Sequence, residues 1–363
     1  MTESTQLWVN RIALRTTCIG DQKLTCKQGD VLLVVERFAL TANNISYALA
    51  GETADYWQFF PAPRPWGNVP VWGYAKVIKS LKKDVKEGER FYGFLPMATH
   101  LIVRPEKVED DGFTDGSKYR TDLPATYNRY RHMAAAVRNE ENAYALLRPL
   151  FVTSFVLDDF LANNDFFNSR SIIISSASSK TSIGLAFELG RRHKGAVEIV
   201  GLTSPGHSKF VEGLGLYNQV LSYDFLESLD AVVPSLYVDV AGDFAVQRRV
   251  HEHFNQHLVY SCKAGATHWE QFRPSTQILP GPKPTQFFAP AYIIKRNKSL
   301  GSGEFARQID RDWEAFVVDT DRWLKIVEVQ GTEAMQRSYL EMLEGHISPD
   351  RGIIILPAGK SIA

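Results

Sequence analysis

The stretch SIIISSASSKTSIGLAFELG, Ser171 to Gly190, constrains the fold of this chain more than any other. It reads as a short buried strand, a tight polar turn and an amphipathic helix. From about Leu146 onward the same alternation continues. Helix candidates such as SIGLAFELGRRH, HSKFVEGLG and FAVQRRVHEHFN lie between the short apolar runs SIIIS, AVEIVGLTS, QVLSYD, SLYVDVAG and HLVYSCKAG. Short apolar strands alternating with amphipathic helices predict a parallel, doubly wound sheet, and so an α/β fold.

The first 110 residues follow a different rule. DVLLVVERFALT, VPVWGYAKVIKS and ERFYGFLPMATHLIVRP are strand-like runs broken by Gly and Pro, with no long helix between them. They predict a β-rich, barrel-like domain. Glu109 to His132 is polar and irregular and reads as a long surface connection; the alternative is an anion- or aromatic-binding cluster of Tyr127, Arg129, Tyr130 and Arg131. The tail, WLKIVEVQG, TEAMQRSYLEMLEG and GIIILP, returns to mixed structure. The expected division is a β-rich substrate or catalytic domain over 1–135 and 322–363, with a nucleotide-binding domain over 136–321 between them.

Composition narrows the function classes. Lys plus Arg and Asp plus Glu are both 41, so no net charge draws the chain to nucleic acid or an anionic membrane. Cys18, Cys26 and Cys262 suggest neither a disulfide framework nor a structural zinc site. No apolar run approaches the roughly 18 residues a membrane span needs, and the N-terminus lacks a signal-peptide pattern. The expectation is a cytoplasmic protein with a small-molecule partner.

A β domain, an α/β nucleotide-binding domain and a tail returning to the β domain together resemble the medium-chain dehydrogenase/reductase superfamily, most closely its zinc-free, quinone-reductase-like branch. GDVLLVVERFALTANNISYALAG is similar to that family's strand, turn and helix running to the substrate pocket. VKEGERFYGFLP, FVEGLGLYNQVLSYD and YLEMLEGHISPDRGIIIL resemble other family segments. TANNISYAL, PMATH and SSASSKTS also resemble an uncharacterised bacterial family within the superfamily. The resemblance implies a GroES-like β domain, a Rossmann domain and oxidoreductase activity. Relatives often pair through a sheet edge, so a homodimer is one state it implies.

A Rossmann turn uses glycine to take unusual backbone angles and to let a pyrophosphate approach. Here Ser176, Ser178 and Ser179 fill the turn, Lys180 and Thr181 follow, and Gly184 keeps the family's place for close helix–strand packing. Serine hydroxyls replace some backbone contacts to phosphate, and Lys180 adds a cation. The turn is read as a pyrophosphate loop; the alternative is a solvated turn in a cofactor-free domain. A P-loop reading, with Lys180–Thr181 and a Mg²⁺-binding Asp239, fails on Ile174 and Ser179, which stand where both glycines belong.

The second strand ends on Thr203 and Ser204 with no carboxylate to bind ribose hydroxyls, and Lys209 follows. In the family this pattern is similar to a 2′-phosphate site, which favours NADPH over NADH. Tyr223, Ala241, Gly242, Ser261, Cys262 and Lys263 lie at or just past strand ends, where ligands bind in such sheets. Cys262 itself reads as a small buried residue. Phe288 lies in QFFAP, which resembles the segment flanking the nicotinamide.

Ala42, Trp72 and Gly73 occupy the places where zinc-dependent relatives carry ligands. Reduction of a polarised double bond or a quinone needs only a held nicotinamide and a proton source. Asn43 and Asn44 are read as carbonyl-binding residues and Tyr47 as the proton donor, against a helix cap for the asparagines and plain packing for Tyr47. Trp57, Phe59, Phe60 and Trp66 suit an apolar pocket and a core equally. The expected function is an NADPH-dependent, zinc-independent reductase of an enone- or quinone-like substrate; the alternative is a nucleotide-binding sensor or scaffold without turnover.

Overall fold

The computed structural model describes residues 1–133, 138–265 and 278–358. By its internal contacts the chain divides into two units, Met1–Leu146 with Lys325–Ala363, and Leu147–Leu324.

The first unit is built on strands because its apolar runs are rich in β-branched and aromatic residues, which suit a pleated, half-buried surface. β1 (Thr2–Asn10) and β2 (Thr17–Leu24) form an antiparallel pair. β3 (Val31–Leu40) is buried along nearly its whole length and leads into the short helix α1 (Ala42–Leu49). β4 (Trp66–Gly67) joins β1, while β5 (Pro70–Ser80) pairs with β3 and with β6 (Arg90–Pro96). β7 (His100–Val103) also pairs with β3.

The polar connection that follows is more ordered than its composition predicts. β8 (Pro105–Glu109), β9 (Gly112–Asp115) and β10 (Arg129–Met133) extend the sheet beyond β6, with short 3₁₀ turns between β9 and β10. The segment is therefore not a loose surface connection: Tyr130 is fully buried, and Arg129 pairs with Glu109 at 3.0 Å and with Asp111. α2 (Arg138–Ala162) then carries the chain into the second unit.

There the expected alternation appears in order. β11 (Ser171–Ile174), α3 (Lys180–His193), β12 (Glu198–Thr203), α4 (Ser208–Leu214), β13 (Gln219–Ser222), β14 (Ser235–Asp239), α5 (Phe244–Phe254), β15 (Leu258–Lys263) and β16 (Thr285–Gln286) form one six-stranded sheet with its connecting helices. All its pairings are parallel, in the order β13-β12-β11-β14-β15-β16. Numbered within the sheet this is 3-2-1-4-5-6, the doubly wound order whose direction reverses beside its first strand. Ile172 and Ile174 pack with Leu185 and Leu189 of α3 on one face, and Ile173 packs with Val250 of α5 on the other. The strands are therefore apolar on both faces, as a fully covered parallel sheet requires.

α6 (Ala289–Leu300) and α7 (Ser302–Thr320) close the second unit. β17 (Lys325–Gln330), α8 (Thr332–Leu343) and β18 (Arg351–Leu356) return to the first, where β18 pairs antiparallel with β3.

Candidate functional site

The two units carry separate candidate clusters. In the second, the turn after β11 sits at the switch point between β11 and β14. Ser176 holds a left-handed φ of +50°, which explains why glycine is usual here. Its N–H donates to the Tyr223 hydroxyl at 2.9 Å, and the Ala177 N–H donates to the Leu202 carbonyl at 2.9 Å. Tyr217 donates its hydroxyl to the Ala177 carbonyl at 2.9 Å. Two tyrosines thus fix a loop that glycine would leave more freedom.

Ser178 and Ser179 take different roles. The Ser179 Oγ caps α3 by accepting the Ser182 N–H at 3.2 Å. The Ser178 Oγ lies 3.1 Å from Nδ1 of His207, just beyond β12. Lys180 opens α3, and the Thr181 carbonyl accepts the Ser154 hydroxyl at 2.7 Å. Gly184 faces α2 rather than a strand. A Cβ there would lie 2.7 Å from the Ser154 Oγ, so the close approach it permits is helix on helix, which corrects the expected helix–strand packing.

Ser175 and Asp239 tie the two strands of the switch point together. The Ser175 hydroxyl donates to the Asp239 carboxylate at 3.1 Å and accepts the N–H groups of Val240 and Ala241 at 3.0 Å each. Asp239 also accepts the Gly242 N–H at 2.9 Å. Burial raises the Asp239 carboxyl above its usual range, while the Gly242, Ser175 and Tyr237 hydrogen bonds pull it back. Asp239 therefore organises the turn from within. Thr203 and Ser222 stand opposite one another in register at the ends of β12 and β13. Both hydroxyls are buried without a hydrogen-bond partner. Ser204 is half-buried, and Lys209 is exposed on α4.

Four other expected residues lie on or after β15. The Ser261 hydroxyl is fully buried and lies 2.9 Å from Nε2 of His251, whose Nδ1 lies 2.8 Å from the Pro280 carbonyl. That is an internal tether. The Cys262 side chain belongs to the apolar core, where burial pushes its thiol up to about 12 and leaves it unreactive. As side chains, Ser261 and Cys262 offer a ligand nothing. Phe288 precedes α6 and is 47% exposed. Lys263 is half-buried, its carbonyl accepting the Phe287 N–H at 2.9 Å.

In the first unit, α1 presents Asn43, Asn44 and Tyr47. Asn44 is committed to structure: its Oδ1 accepts the Thr41 N–H at 2.7 Å and its Nδ2 donates to the Pro70 carbonyl at 2.8 Å. This capping box is the bland reading of Asn44, and both ends of its amide are taken. Tyr47 is buried against Tyr56, Phe94 and Tyr127, with the indole N–H of Trp72 donating to its hydroxyl at 3.4 Å. The hydroxyls of Tyr56 and Tyr127 lie 3.0 Å apart. Trp57, Phe59 and Phe60 are buried, which gives them the core role. Sequence reasoning missed His207, Tyr217, Ser222, Tyr56 and the part Tyr127 takes here. His207, three residues past Ser204, carries a local signal; the others depend on pairings that the order of residues does not reveal.

A family model described as "Protein of unknown function (DUF2855)" matches residues 38–348. The chain belongs to this family. No curated protein matches its sequence. Among solved structures, this family member is similar to CurA from Vibrio vulnificus in complex with NADPH. That match is 13% identical, covers 97% of this chain and 99% of the other, and has a TM-score of 0.63. It is also similar to the yhdH oxidoreductase from Salmonella enterica in complex with NADP, at 13% identity over 97% and 99% of the two chains, with a TM-score of 0.53. The quinone oxidoreductase from Coxiella burnetii is 12% identical over 98% and 99%, with a TM-score of 0.51. Identities this low speak for fold: a GroES-like β-rich unit and a Rossmann unit, as in the quinone and enoyl reductases of the medium-chain dehydrogenase/reductase superfamily. Among the described residues no group of three or more His, Cys, Asp or Glu could hold a metal ion, and no helix is long and apolar enough to cross a membrane.

Proposed function

We propose that the chain is an NADPH-dependent, zinc-independent oxidoreductase acting on an enone- or quinone-like substrate. The observation that carries this reading is the 3-2-1-4-5-6 parallel sheet with a serine-rich loop and a capped helix at its switch point, where such sheets bind dinucleotides. The partnerless hydroxyls of Thr203 and Ser222 fit a polar ligand, because a buried hydroxyl costs free energy unless something hydrogen-bonds to it.

Ser176, Ser178, Ser179, Lys180 and Thr181 would hold the pyrophosphate, with Gly184 letting α3 sit close to α2. Thr203, Ser204 and Lys209 would hold a 2′-phosphate, and Tyr223, Ala241, Gly242 and Lys263 border the same strand ends. When bound, NADPH supplies a hydride. Tyr47 holds the proton, and Asn43 lies beside it. Burial keeps the Tyr47 phenol protonated far above neutral pH, so it serves as an acid and not as a base. Ala42, Trp72 and Gly73 offer no zinc ligands, and this donor set supports zinc independence.

Titrating NADPH and NADH into the protein, then adding a panel of enones and quinones, tests the reading. Tyr47→Phe should lower turnover roughly 10- to 1000-fold with cofactor affinity unchanged. Lys209→Ala should weaken NADPH by about 10-fold or more and leave NADH unaffected, because only NADPH offers a phosphate to its cation. A preference for NADH, or equal losses for both cofactors, would place the phosphate elsewhere.

One observation favours a second reading, a nucleotide-binding sensor or scaffold. The Ser176 and Ala177 amides, which a glycine loop would offer to phosphate, are already bonded to Tyr223 and Leu202. Tight NADPH binding with no oxidation across the panel would support that reading.

A further inference from the structure

We infer that the hydroxyls of Tyr47, Tyr127 and Tyr56 form an oxyanion-binding site for phenolates and enolates. This deepens the reductase reading, since charge developing on the oxygen of an enone or a quinone is the charge of an enolate or a phenolate.

Tyr56 and Tyr127 share one hydrogen bond at 3.0 Å, and the Tyr47 ring meets Tyr127 edge-on at 6.3 Å between centroids. Three phenols carry three protons, and their one mutual bond uses one of them. Trp72 adds a further donor at 3.4 Å from the Tyr47 oxygen and cannot accept. The cluster therefore has more donors than acceptors, and the Tyr47 proton, with a second from the Tyr56–Tyr127 pair, is left for an oxygen from outside it.

The surroundings suit an anionic aromatic oxygen. The rings of Tyr127 and Phe94 lie 4.7 Å apart by centroid, Tyr47 and Tyr56 4.5 Å, and Trp72 and Phe94 5.0 Å. Rings this close pack on one another, and the low polarity they create around the hydroxyls strengthens each hydrogen bond to charge. Burial raises the phenol pKa of all three tyrosines, so each remains a donor at neutral pH. Tyr47, Tyr56 and Tyr127 are 6%, 9% and 9% exposed, whereas Asn43 and Trp72 are half-buried. A ligand would meet the hydroxyls from the Asn43 and Trp72 side. Tyr127 is held from behind, its carbonyl accepting Nη2 of the buried Arg120 at 2.6 Å.

The probe is 4-nitrophenol, whose visible absorbance reports the phenolate. Titration into the full chain near the ligand's own pKa should give saturable binding with increased phenolate absorbance. Tyr127→Phe should weaken that binding by about 10-fold or more, the low end for a hydrogen bond to a charged group, and Tyr47→Phe by more. Tyr119→Phe, at an exposed position, should leave it unchanged. Tyr56→Phe stands in if Tyr127→Phe fails to fold by circular dichroism. Absence of saturable binding by the folded wild type, or affinities unchanged in both Tyr127→Phe and Tyr56→Phe, would overturn the site. The same samples are titrated with NADPH. Phenolate binding without NADPH binding leaves the oxyanion site standing and removes the reductase reading; NADPH binding alone does the reverse.

Discussion

Arg120→Met is expected to destabilise the first unit by about 3–5 kcal/mol, the usual cost of removing one partner of a buried ion pair. Arg120 is fully buried, and all of its donor atoms are engaged within the segment between β9 and β10. Nη1 reaches Asp115 at 3.1 Å and the Tyr130 hydroxyl at 3.1 Å, while Nε reaches Asn128 at 2.9 Å. Nη2 donates to the Tyr127 carbonyl at 2.6 Å, and the guanidinium lies over the rings of Phe59 and Phe60. Methionine keeps the length of the side chain and removes every one of these bonds. Asp115 keeps the N–H groups of Arg104 and Ser117 on Oδ1, at 2.9 and 3.0 Å, but its buried carboxylate loses its cation on Oδ2, and Asn128, Tyr127 and Tyr130 each lose a donor. Urea unfolding followed by tryptophan fluorescence should show the transition of this unit moved to lower urea. A second effect should accompany it: 4-nitrophenol binding weakens even in conditions where the variant is folded, because Tyr127 has lost its anchor. An unchanged transition would mean that the segment is held by its strands alone.

Arg120 also marks where the sequence stops being readable. Hydrophobic periodicity located every strand and helix from β11 to β15, because a covered parallel sheet writes its pattern as short apolar runs between amphipathic helices. The polar run from Glu109 to His132 carries no such pattern. Its order comes from specific partners, Arg120 with Asp115 and Asn128, and nothing in composition says which charges will meet.

The candidate site divides along the same line. The position of the turn was legible, since turns are local, while Ser179, expected on the pyrophosphate, caps α3. Asn44 is local too, and its capping box was the alternative that the motif TANN allowed. The clasp of Tyr217 and Tyr223 on the loop joins residues 40 and 47 positions apart, and the Tyr47–Tyr56–Tyr127 cluster spans 80. Such juxtapositions are set by strand order. That difference bears on function: the features fixing where a nucleotide would lie are local, and those fixing what chemistry would meet it are not.

Glu188 is expected to make the stability of the second unit fall as pH rises from about 4.5 to about 8, and Glu188→Gln to abolish that fall. Glu188 is fully buried on α3, and neither of its carboxyl oxygens has a hydrogen-bond partner. Burial, and then the negative charge of Asp312 on α7, push its carboxyl up to about 8; Arg191 and Arg192 oppose this, and Asp158 on α2 adds to it. Asp312 stays ionised, held low chiefly by Arg191 and Arg311 despite its own burial. One proton therefore resides on Glu188 in the folded protein. An unfolded Glu188 titrates at its ordinary value of 4.5, so between 4.5 and about 8 the folded state binds the extra proton. Stability is full below that window and declines through it by up to about 1.4 kcal/mol per pH unit. Glutamine supplies the same shape, neutral at every pH. Thermal unfolding at a series of pH values should give a wild-type curve that declines across the window and a Glu188→Gln curve without that component. The variant should be the more stable of the two above pH 8. Parallel curves would show that the Arg191 and Arg192 cations hold Glu188 ionised after all.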